Sequence, residues 1–514
     1  MSKQLFKSTA IVSSMTMISR ILGFVRDMLI ARMFGVDLAT DAFFVAFKIP
    51  NFLRRLNAEG AFAHAFVPIF SEYKEANDYH QLKRFVDTSA GTLAAILLAI
   101  TVVGIVLAPV LVLILAPGFS WQGSQHHIAE QVLQITWPYL LFIGLVSLAS
   151  SILNVHGHFA IPALTPVFLN LCMITTALWL APQLEEPVLS LAWGVFFGGI
   201  VQVLFQLPAL IKLDLVPRFR VNFNDPSIKR FLKLLIPSIF SVSVTQINLL
   251  LDTLVASFLT AGSVSWLYYS DRLVEFPVGI LGLALGSVIL PHLAKHTAQN
   301  NNEAFSQTID WGLRLALLIG LPATLGLLLL AEPLLSTLFQ YHEFNVQDVQ
   351  LSAQSLRGYA VGLLGYILIK VLVGGFTARQ DMQTPVRYGI YAMIISFGLN
   401  FVLVYPFQHA GLALATSLGA FINVVLLLYT LLKQGHYQPQ TGWLLFLLRV
   451  LLACAAMSFI LSSWVHAEWW YNWTSSVRIL NLIKWIAIAM LVYSLTLLIS
   501  GLRLRHLLVD HDRM

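Results

Sequence analysis

Long apolar runs separated by short polar turns dominate this chain. Stretches such as 93–115, 388–405 and 479–499 carry almost no charge. As helices they are long enough to cross a hydrocarbon core of about 30 Å. About fourteen such segments follow one another, centred on 8–33, 42–70, 88–115, 131–154, 160–181, 188–211, 234–260, 264–291, 312–338, 355–376, 386–405, 411–432, 442–464 and 477–500. Backbone buried in lipid must satisfy its own hydrogen bonds, so segments of this kind are helical. The pattern predicts an all-α polytopic membrane protein of about 14 transmembrane helices, whose short connections leave no room for a soluble catalytic domain.

Composition narrows this further. Of 514 residues, 58% are hydrophobic and 11% charged, against about 25% charged in soluble proteins. A disordered chain, a nucleic-acid-binding arm and a multidomain cytosolic enzyme are excluded. Cys172 and Cys454 lie in separate apolar runs without a Cys or His at metal-ligand spacing, so neither a disulfide framework nor a metal site is expected. Lys3 and Lys7 precede an apolar stretch that lacks a small-residue cleavage site and soon meets Arg20, Arg26 and Asp27. The first segment is therefore expected to be retained.

The loop charges are one-sided. On the N-terminal side the loops hold 17 of the 31 basic residues, among them Lys74, Lys83, Arg84, Arg218, Arg220, Lys229 and Arg230. The opposite loops (34–41, 116–130, 182–187, 261–263, 339–354, 406–410 and 465–476) hold none. The positive-inside rule then places both termini in the cytoplasm, and the net charge of +6 reads mostly as topology. Trp469, Trp470, Tyr471 and Trp473 in the last outer loop read as an interfacial aromatic belt.

The chain also repeats itself. Asp27-Met-Leu-Ile-Ala31 returns as Asp252-Thr-Leu-Val-Ala256, and Lys48-Ile-Pro50 aligns with Glu275-Phe-Pro277. Leu107-Ala-Pro109 aligns with Ala331-Glu-Pro333, and Pro162 with Pro385. The near-constant spacing through four elements predicts two six-helix lobes, 1–222 and 223–434. Residues 435–514 supply two further helices and a cytoplasmic tail. Six is even, so both halves enter from one side, as in parallel-repeat transporters with a substrate site between the halves. A channel or scaffold with the same duplication is the alternative.

Charges inside apolar segments cost about 2.5–3.5 kcal/mol each at a helix centre and need a reason. Lys233, Arg314, Arg449, Arg478 and Lys484 lie near span ends, where snorkelling is expected. The others concentrate. Span 1 carries Arg20, Arg26 and Asp27. In span 2, Asp41, Lys48, Arg55 and Glu59 fall at intervals of 7, 7 and 4, one helical stripe, with Arg54 beside it. Span 8 carries Asp271, Arg272 and Glu275, and span 10 adds Arg357 and Lys370. Mutual neutralisation is one reading. The other is an arginine-rich cavity, because the guanidinium fork matches phosphate oxygens. That reading points to an anionic substrate such as a phosphate or pyrophosphate. No phosphate-binding Gly-x4-Gly-Lys-Ser/Thr loop occurs. His126, His127, His156 and His158 read as polar loop residues, and Asp252 in span 7 as an ion or proton site or a local hydrogen-bonding group.

Several of these stretches resemble the MurJ (MviN-type) lipid II flippases of the multidrug/oligosaccharidyl-lipid/polysaccharide exporter superfamily. They are Ser19-Arg-Ile-Leu-Gly-Phe24, Arg26-Asp27, Thr40-Asp-Ala-Phe-Phe44, Phe47-Lys-Ile-Pro-Asn51, Leu53-Arg-Arg55, Ala58-Glu-Gly-Ala-Phe62 and the run from Val264 to Pro277. The resemblance implies movement of the undecaprenyl-pyrophosphate-linked peptidoglycan precursor, lipid II, from the cytoplasmic to the periplasmic leaflet of the bacterial inner membrane by alternating access. It implies no enzymatic step and no nucleic-acid partner. Its substrate-binding positions fall here on Arg20, Arg26, Lys48, Arg54, Arg55, Arg272 and Lys370. Gating or charge-pairing positions fall on Asp27, Asp41, Glu59, Asp271 and Glu275. The last two helices would form a groove for the lipid tail. No cofactor is expected beyond coupling to membrane potential, sodium or a proton, with Asp252 as a candidate ligand. Membrane lipids and other cell-wall synthesis proteins are the further partners. An exporter of another polyprenyl-pyrophosphate oligosaccharide and a cation-coupled drug extruder are the alternatives.

Overall fold

The computed structural model describes residues 3–58, 61–121 and 123–502, which leaves Glu59 outside the described residues. Every regular element among them is helical. Ten helical segments among the described residues are long and apolar enough to cross a membrane. The other segments read as spans fall on the helices with the most embedded charge, Lys3–Phe34 (α1), Leu38–Ala58 (α2) followed by Ala61–Glu75 (α3), Pro226–Ala256 (α10) and Ser263–Ala298 (α11). Packing divides the chain into two compact units, 1–265 and 266–514, with the division inside α11.

The first unit continues from α3 through Tyr79–Val106 (α4), Ala108–Leu115 (α5), Ser124–Thr136 (α6), Tyr139–Val155 (α7), Ala160–Trp179 (α8) and Leu189–Lys212 (α9) to α10. Its core is aromatic: Phe66 stacks on Phe70 and Phe85 at centroid distances of 5.4 and 5.3 Å, and Phe231 of α10 meets Phe62 edge-on at 5.4 Å. Such pairs add about 0.5–1.5 kcal/mol beyond area burial. His126 is not a loop residue: α6 begins at Ser124, and the imidazole is buried against Trp121 at 4.9 Å.

The second unit holds the rest of α11, then Asn302–Leu329 (α12), Ala331–Phe339 (α13), Val346–Ala378 (α14), Gln383–Phe407 (α15), His409–Lys433 (α16), Trp443–Trp464 (α17), Ala467–Asn472 (α18) and Ser475–Ile499 (α19). Small residues let α14 and α16 approach closely: a methyl group on Gly362 would lie 2.5 Å from Ser417 Oγ. The two last long helices join through Val450, Cys454, Met457, Leu461, Trp485 and Tyr493, and the Tyr493 hydroxyl donates to the Leu318 carbonyl of α12 at 2.6 Å.

Local chemistry recurs at a spacing near 223 residues. Asn77 and Asn300 both have φ of 53°. Each precedes an N-cap, Asp78 for α4 and Asn301 for α12, whose side chain accepts a backbone N–H of the first turn. Both helices run for 28 residues and break before a proline. The break residue is Leu107 ahead of Pro109 (φ −89°, ψ 5°), and Leu330 ahead of Pro333 (φ −98°, ψ 16°). Proline removes an amide donor and clashes with the preceding turn, which ends the helix there. The expected single spans 88–115 and 312–338 are thus each two helices.

Two expectations change near the last helices. Trp470 is not interfacial: it is fully buried against Trp473, 4.8 Å away. Arg478 does not snorkel. It is buried and donates to the Ser336 and Gln340 carbonyls at 3.1 and 2.9 Å and to the Tyr471 carbonyl at 3.1 Å. The Ser336 carbonyl keeps the Gln340 amide at 3.3 Å and takes Arg478 as a second donor, and a cation at a helix C-terminus meets the negative end of its dipole. Arg314 is likewise held, by Asp310 at 2.7 Å.

Candidate functional site

Three groups of charged side chains stand out, and each is organised within its own unit. The first is on α1. Arg26 is 5% exposed and Asp27 1%. Arg26 Nε and Nη2 both donate to Asp27 Oδ1, at 3.0 and 2.7 Å, and Nη1 donates to Asn170 Oδ1 on α8 at 2.9 Å. The amide of Asn170 returns a bond to the Ser19 carbonyl at 3.1 Å. One amide thus reads both the arginine and the α1 backbone, and Asp27 and Asn170 together orient the guanidinium, with Met173 Sδ 3.7 Å from Nη1. Arg20, two turns earlier on α1, is exposed.

The second group joins the beginnings of α2 and α11. Asp37 accepts the Thr40 amide at 2.7 Å and thereby caps α2. Asp41, one turn on and 2% exposed, does the same for α11. Its Oδ2 accepts Gly262 N–H at 2.6 Å, and its Oδ1 accepts Ser265 N–H at 2.8 Å and the Ser265 hydroxyl at 2.6 Å. Gly262 has φ of +95°, a conformation in which a side chain would be strained. A carboxylate holding a helix N-terminus gains from both the unpaired amides and the dipole. Asp41 is therefore a latch between α2 and α11. Further along α2, Arg54 donates to Asn51 Oδ1 through Nε and Nη2 at 3.2 and 2.7 Å, and Lys48 and Arg55 are half-buried.

The third group is on α11 in the second unit. Arg272 pairs with Glu275 at 2.8 Å, receives the Tyr268 hydroxyl oxygen as an acceptor at 3.0 Å, and lies 5.0 Å above the Tyr268 ring. Asp271 is half-buried beside it. Lys370 of α14 is exposed, and its aliphatic stem passes Gly282 of α11, where a methyl group would sit 3.5 Å from Lys370 Cγ. The structure therefore brings Arg26 to Asp27, Arg272 to Glu275, and Lys370 alongside α11. Arg357 pairs instead with Glu332 at 2.8 Å. Asp252 on α10 is buried. Among the described residues no three His, Cys, Asp or Glu side chains converge to hold a metal ion.

The neutral partners Asn170, Ser265, Gly262, Asn51 and Tyr268 escaped the reading of the sequence. Asn170 carried a signal, a lone carboxamide within an apolar run, where an unpaired amide would be costly. Gly262 and Ser265 carried none beyond flanking the start of a span.

A family model described as lipid II flippase MurJ matches residues 30–498. A probable lipid II flippase MurJ of Vibrio cholerae is 44% identical over 516 residues, covering 98% of each chain. The lipid II flippase MurJ of Burkholderia cenocepacia is 42% identical over 91% of each chain. Among solved structures, a lipid II flippase MurJ in an inward closed conformation superposes with a TM-score of 0.80 at 27% identity, over 94% of this chain and 97% of that one. An inward-facing multidrug transporter of the wider superfamily reaches 0.68 at 15% identity over 83% of this chain, a likeness of fold alone. Helical architecture, embedded charges and near full-length identity converge, and this chain is a member of the MurJ lipid II flippase family.

Proposed function

We propose that this chain moves lipid II from the cytoplasmic to the periplasmic leaflet of the inner membrane by alternating access, with both termini in the cytoplasm. It changes no covalent bond. The observation that carries the reading is the pair of arginines on the charge-bearing helices α1 and α11 whose forks are held in defined orientations, Arg26 by Asp27 and Asn170, and Arg272 by Glu275 and Tyr268. A pyrophosphate offers the same geometry as those carboxylates with more charge, so it competes for the same donors. Arg20, Arg26, Lys48, Arg54, Arg55, Arg272 and Lys370 then hold the pyrophosphate and the peptide carboxylates. Asp27, Asp271 and Glu275 take the arginines back once substrate leaves, and Glu59 serves with them.

The Asp41 latch closes the side opposite the basic loops. Its release frees the α11 N-terminus, and substrate binding biases the exchange between latched and unlatched states. Membrane potential, sodium or a proton supplies direction, with Asp252 as the candidate ionic group. The residues after 440 accommodate the polyprenyl tail.

Lipid II binding to the purified protein in nanodiscs tests the assignment. Hydrogen bonds to charged groups contribute about 1.5–3 kcal/mol, so Arg272→Gln should weaken binding about 10- to 150-fold, with Arg272→Lys between it and wild type. Unchanged affinity in Arg272→Gln and Arg20→Gln would refute the pyrophosphate assignment.

A further inference from the structure

The connection between α9 and α10 is neither helix nor slack loop. Asp214, with φ of +54°, turns the chain out of α9, and the segment then runs extended along α4. Tyr79 Oη donates to the Asp214 carbonyl at 2.8 Å, and Lys83 Nζ to the Val216 carbonyl at 2.8 Å. Asp87 accepts the Arg218 amide at 2.8 Å with its side chain and the Arg220 amide at 3.2 Å with its carbonyl. The Asn222 amide reaches Thr92 Oγ1 at 3.2 Å. Gly91 admits the crossing, since a methyl group there would lie 2.3 Å from the Arg220 amide nitrogen.

These contacts advance together. From Tyr79 to Thr92 the helix rises about 20 Å, and Thr92 immediately precedes the apolar run that begins at Leu93. The extended segment therefore descends from the charged start of α4 to the mouth of its apolar part. Phe219, Val221 and Phe223 are 62%, 57% and 51% exposed there. Phe219 and Val221 alternate with the exposed Arg218 and Arg220 along the extended segment, so that apolar and basic side chains leave it on opposite sides, and Phe223 follows in the turn before α10. Residues 212–233 hold six basic and two acidic residues. Three large apolar side chains thus stand exposed on a backbone fixed to α4, where charged sequence gives way to apolar sequence.

We propose that residues 218–223 form an interfacial anchor for anionic phospholipid. Phe219, Val221 and Phe223 enter the boundary between headgroups and acyl chains, and Arg218 and Arg220 hold headgroup phosphates on the basic side of the protein. Anionic lipid is enriched on the cytoplasmic leaflet and attracts basic residues near its surface, and amphipathic segments of this composition lie in the interface.

Nitroxide labels at Phe219→Cys, Val221→Cys and Phe223→Cys, in a Cys172→Ala/Cys454→Ala background, report the depth. The full chain is placed in nanodiscs of phosphatidylcholine alone or mixed with phosphatidylglycerol. Collision with dissolved oxygen is compared with collision with a water-soluble nickel chelate. In the mixed discs oxygen access should exceed nickel access at all three sites, while a label at Gln81→Cys stays nickel-accessible. Omitting phosphatidylglycerol, or introducing Arg218→Gln with Arg220→Gln, should shift the three labels towards water. Nickel-accessible labels in the mixed discs would overturn the anchor and leave a surface for a soluble partner. Equal immersion in both lipids, unchanged by the arginine substitutions, would overturn the anionic headgroup assignment. The lipid comparison uses the arginines intact, so it decides the matter even if the double variant folds poorly.

Discussion

Asp41→Ala isolates the latch between α2 and α11. The carboxylate accepts two backbone amides and one hydroxyl at 2.6–2.8 Å at a position 2% exposed. Loss of an N-cap alone costs about 0.5–2 kcal/mol, and each buried donor left unsatisfied costs about 1–3 kcal/mol. These terms overlap, because the alanine variant relaxes and admits water. A net loss of about 3 kcal/mol for local opening is the expected magnitude, or about 150-fold in the opening equilibrium. Hydrogen exchange in nanodiscs, followed by mass spectrometry on peptides spanning Gly262 and Ser265, measures that equilibrium directly. Exchange there should accelerate about 150-fold while peptides in α16 are unchanged. Asp41→Asn should fall between, since one carbonyl oxygen remains as acceptor. If Asp41→Ala leaves exchange at Gly262 and Ser265 as slow as in wild type, the carboxylate does not hold the α11 N-terminus and the latch is wrong.

Further outcomes follow from single contacts. Asp310 accepts the Tyr437 hydroxyl at 2.8 Å, the Gln440 amide at 3.1 Å and Trp443 Nε1 at 2.7 Å. Asp310→Ala should therefore make the linker between α16 and α17 cleavable by limited proteolysis and lower stability by about 1–3 kcal/mol, the cost of a buried donor left unsatisfied; an uncut linker would show that Asp310 does not secure it. Asn170→Ala removes a partner that orients Arg26 and should weaken lipid II binding about 10-fold, the worth of one charged hydrogen bond, while Asn170→Asp should weaken it further, since a second carboxylate competes for the guanidinium and cannot donate to the Ser19 carbonyl. Wild-type affinity in both variants would place the Arg26 contact outside binding. Gly91→Ala drives a methyl group into the Arg220 backbone and should lower the melting temperature through an overpacking cost of about 1–3 kcal/mol. An unchanged melting curve would mean that the extended segment lifts off α4 without loss.

How much of this was legible beforehand depends on the physics involved. Helical class and the charged helices follow from hydropathy, because a lipid environment leaves few options for backbone and charge. The breaks at Leu107 and Leu330 were foreshadowed by Pro109 and Pro333, yet an apolar run reads as continuous until the proline is given its steric consequence. Pairings such as Asp41 with Gly262 and Arg26 with Asn170 were not legible. They join residues 221 and 144 positions apart, and neutral partners leave no charge pattern. Arg478 misled for a related reason: near a span end, a snorkelling arginine and one that caps α13 have the same sequence signature. Trp470 and Trp469 are adjacent aromatics on one short helix and both meet Trp473, at 4.8 and 6.1 Å; only Trp470 also enters the cluster formed by α17 and α19, and nothing in the sequence separates the two rings.

The central claim is tested most directly in cells depleted of their own lipid II flippase and supplied with this chain or with its Arg20→Ala and Arg272→Ala variants, scoring the leaflet in which lipid II resides. The wild-type chain should restore growth and outward exposure of lipid II, and the two variants should accumulate lipid II in the inner leaflet and lyse. Normal growth with normally exposed lipid II in both variants would contradict an arginine-dependent flippase.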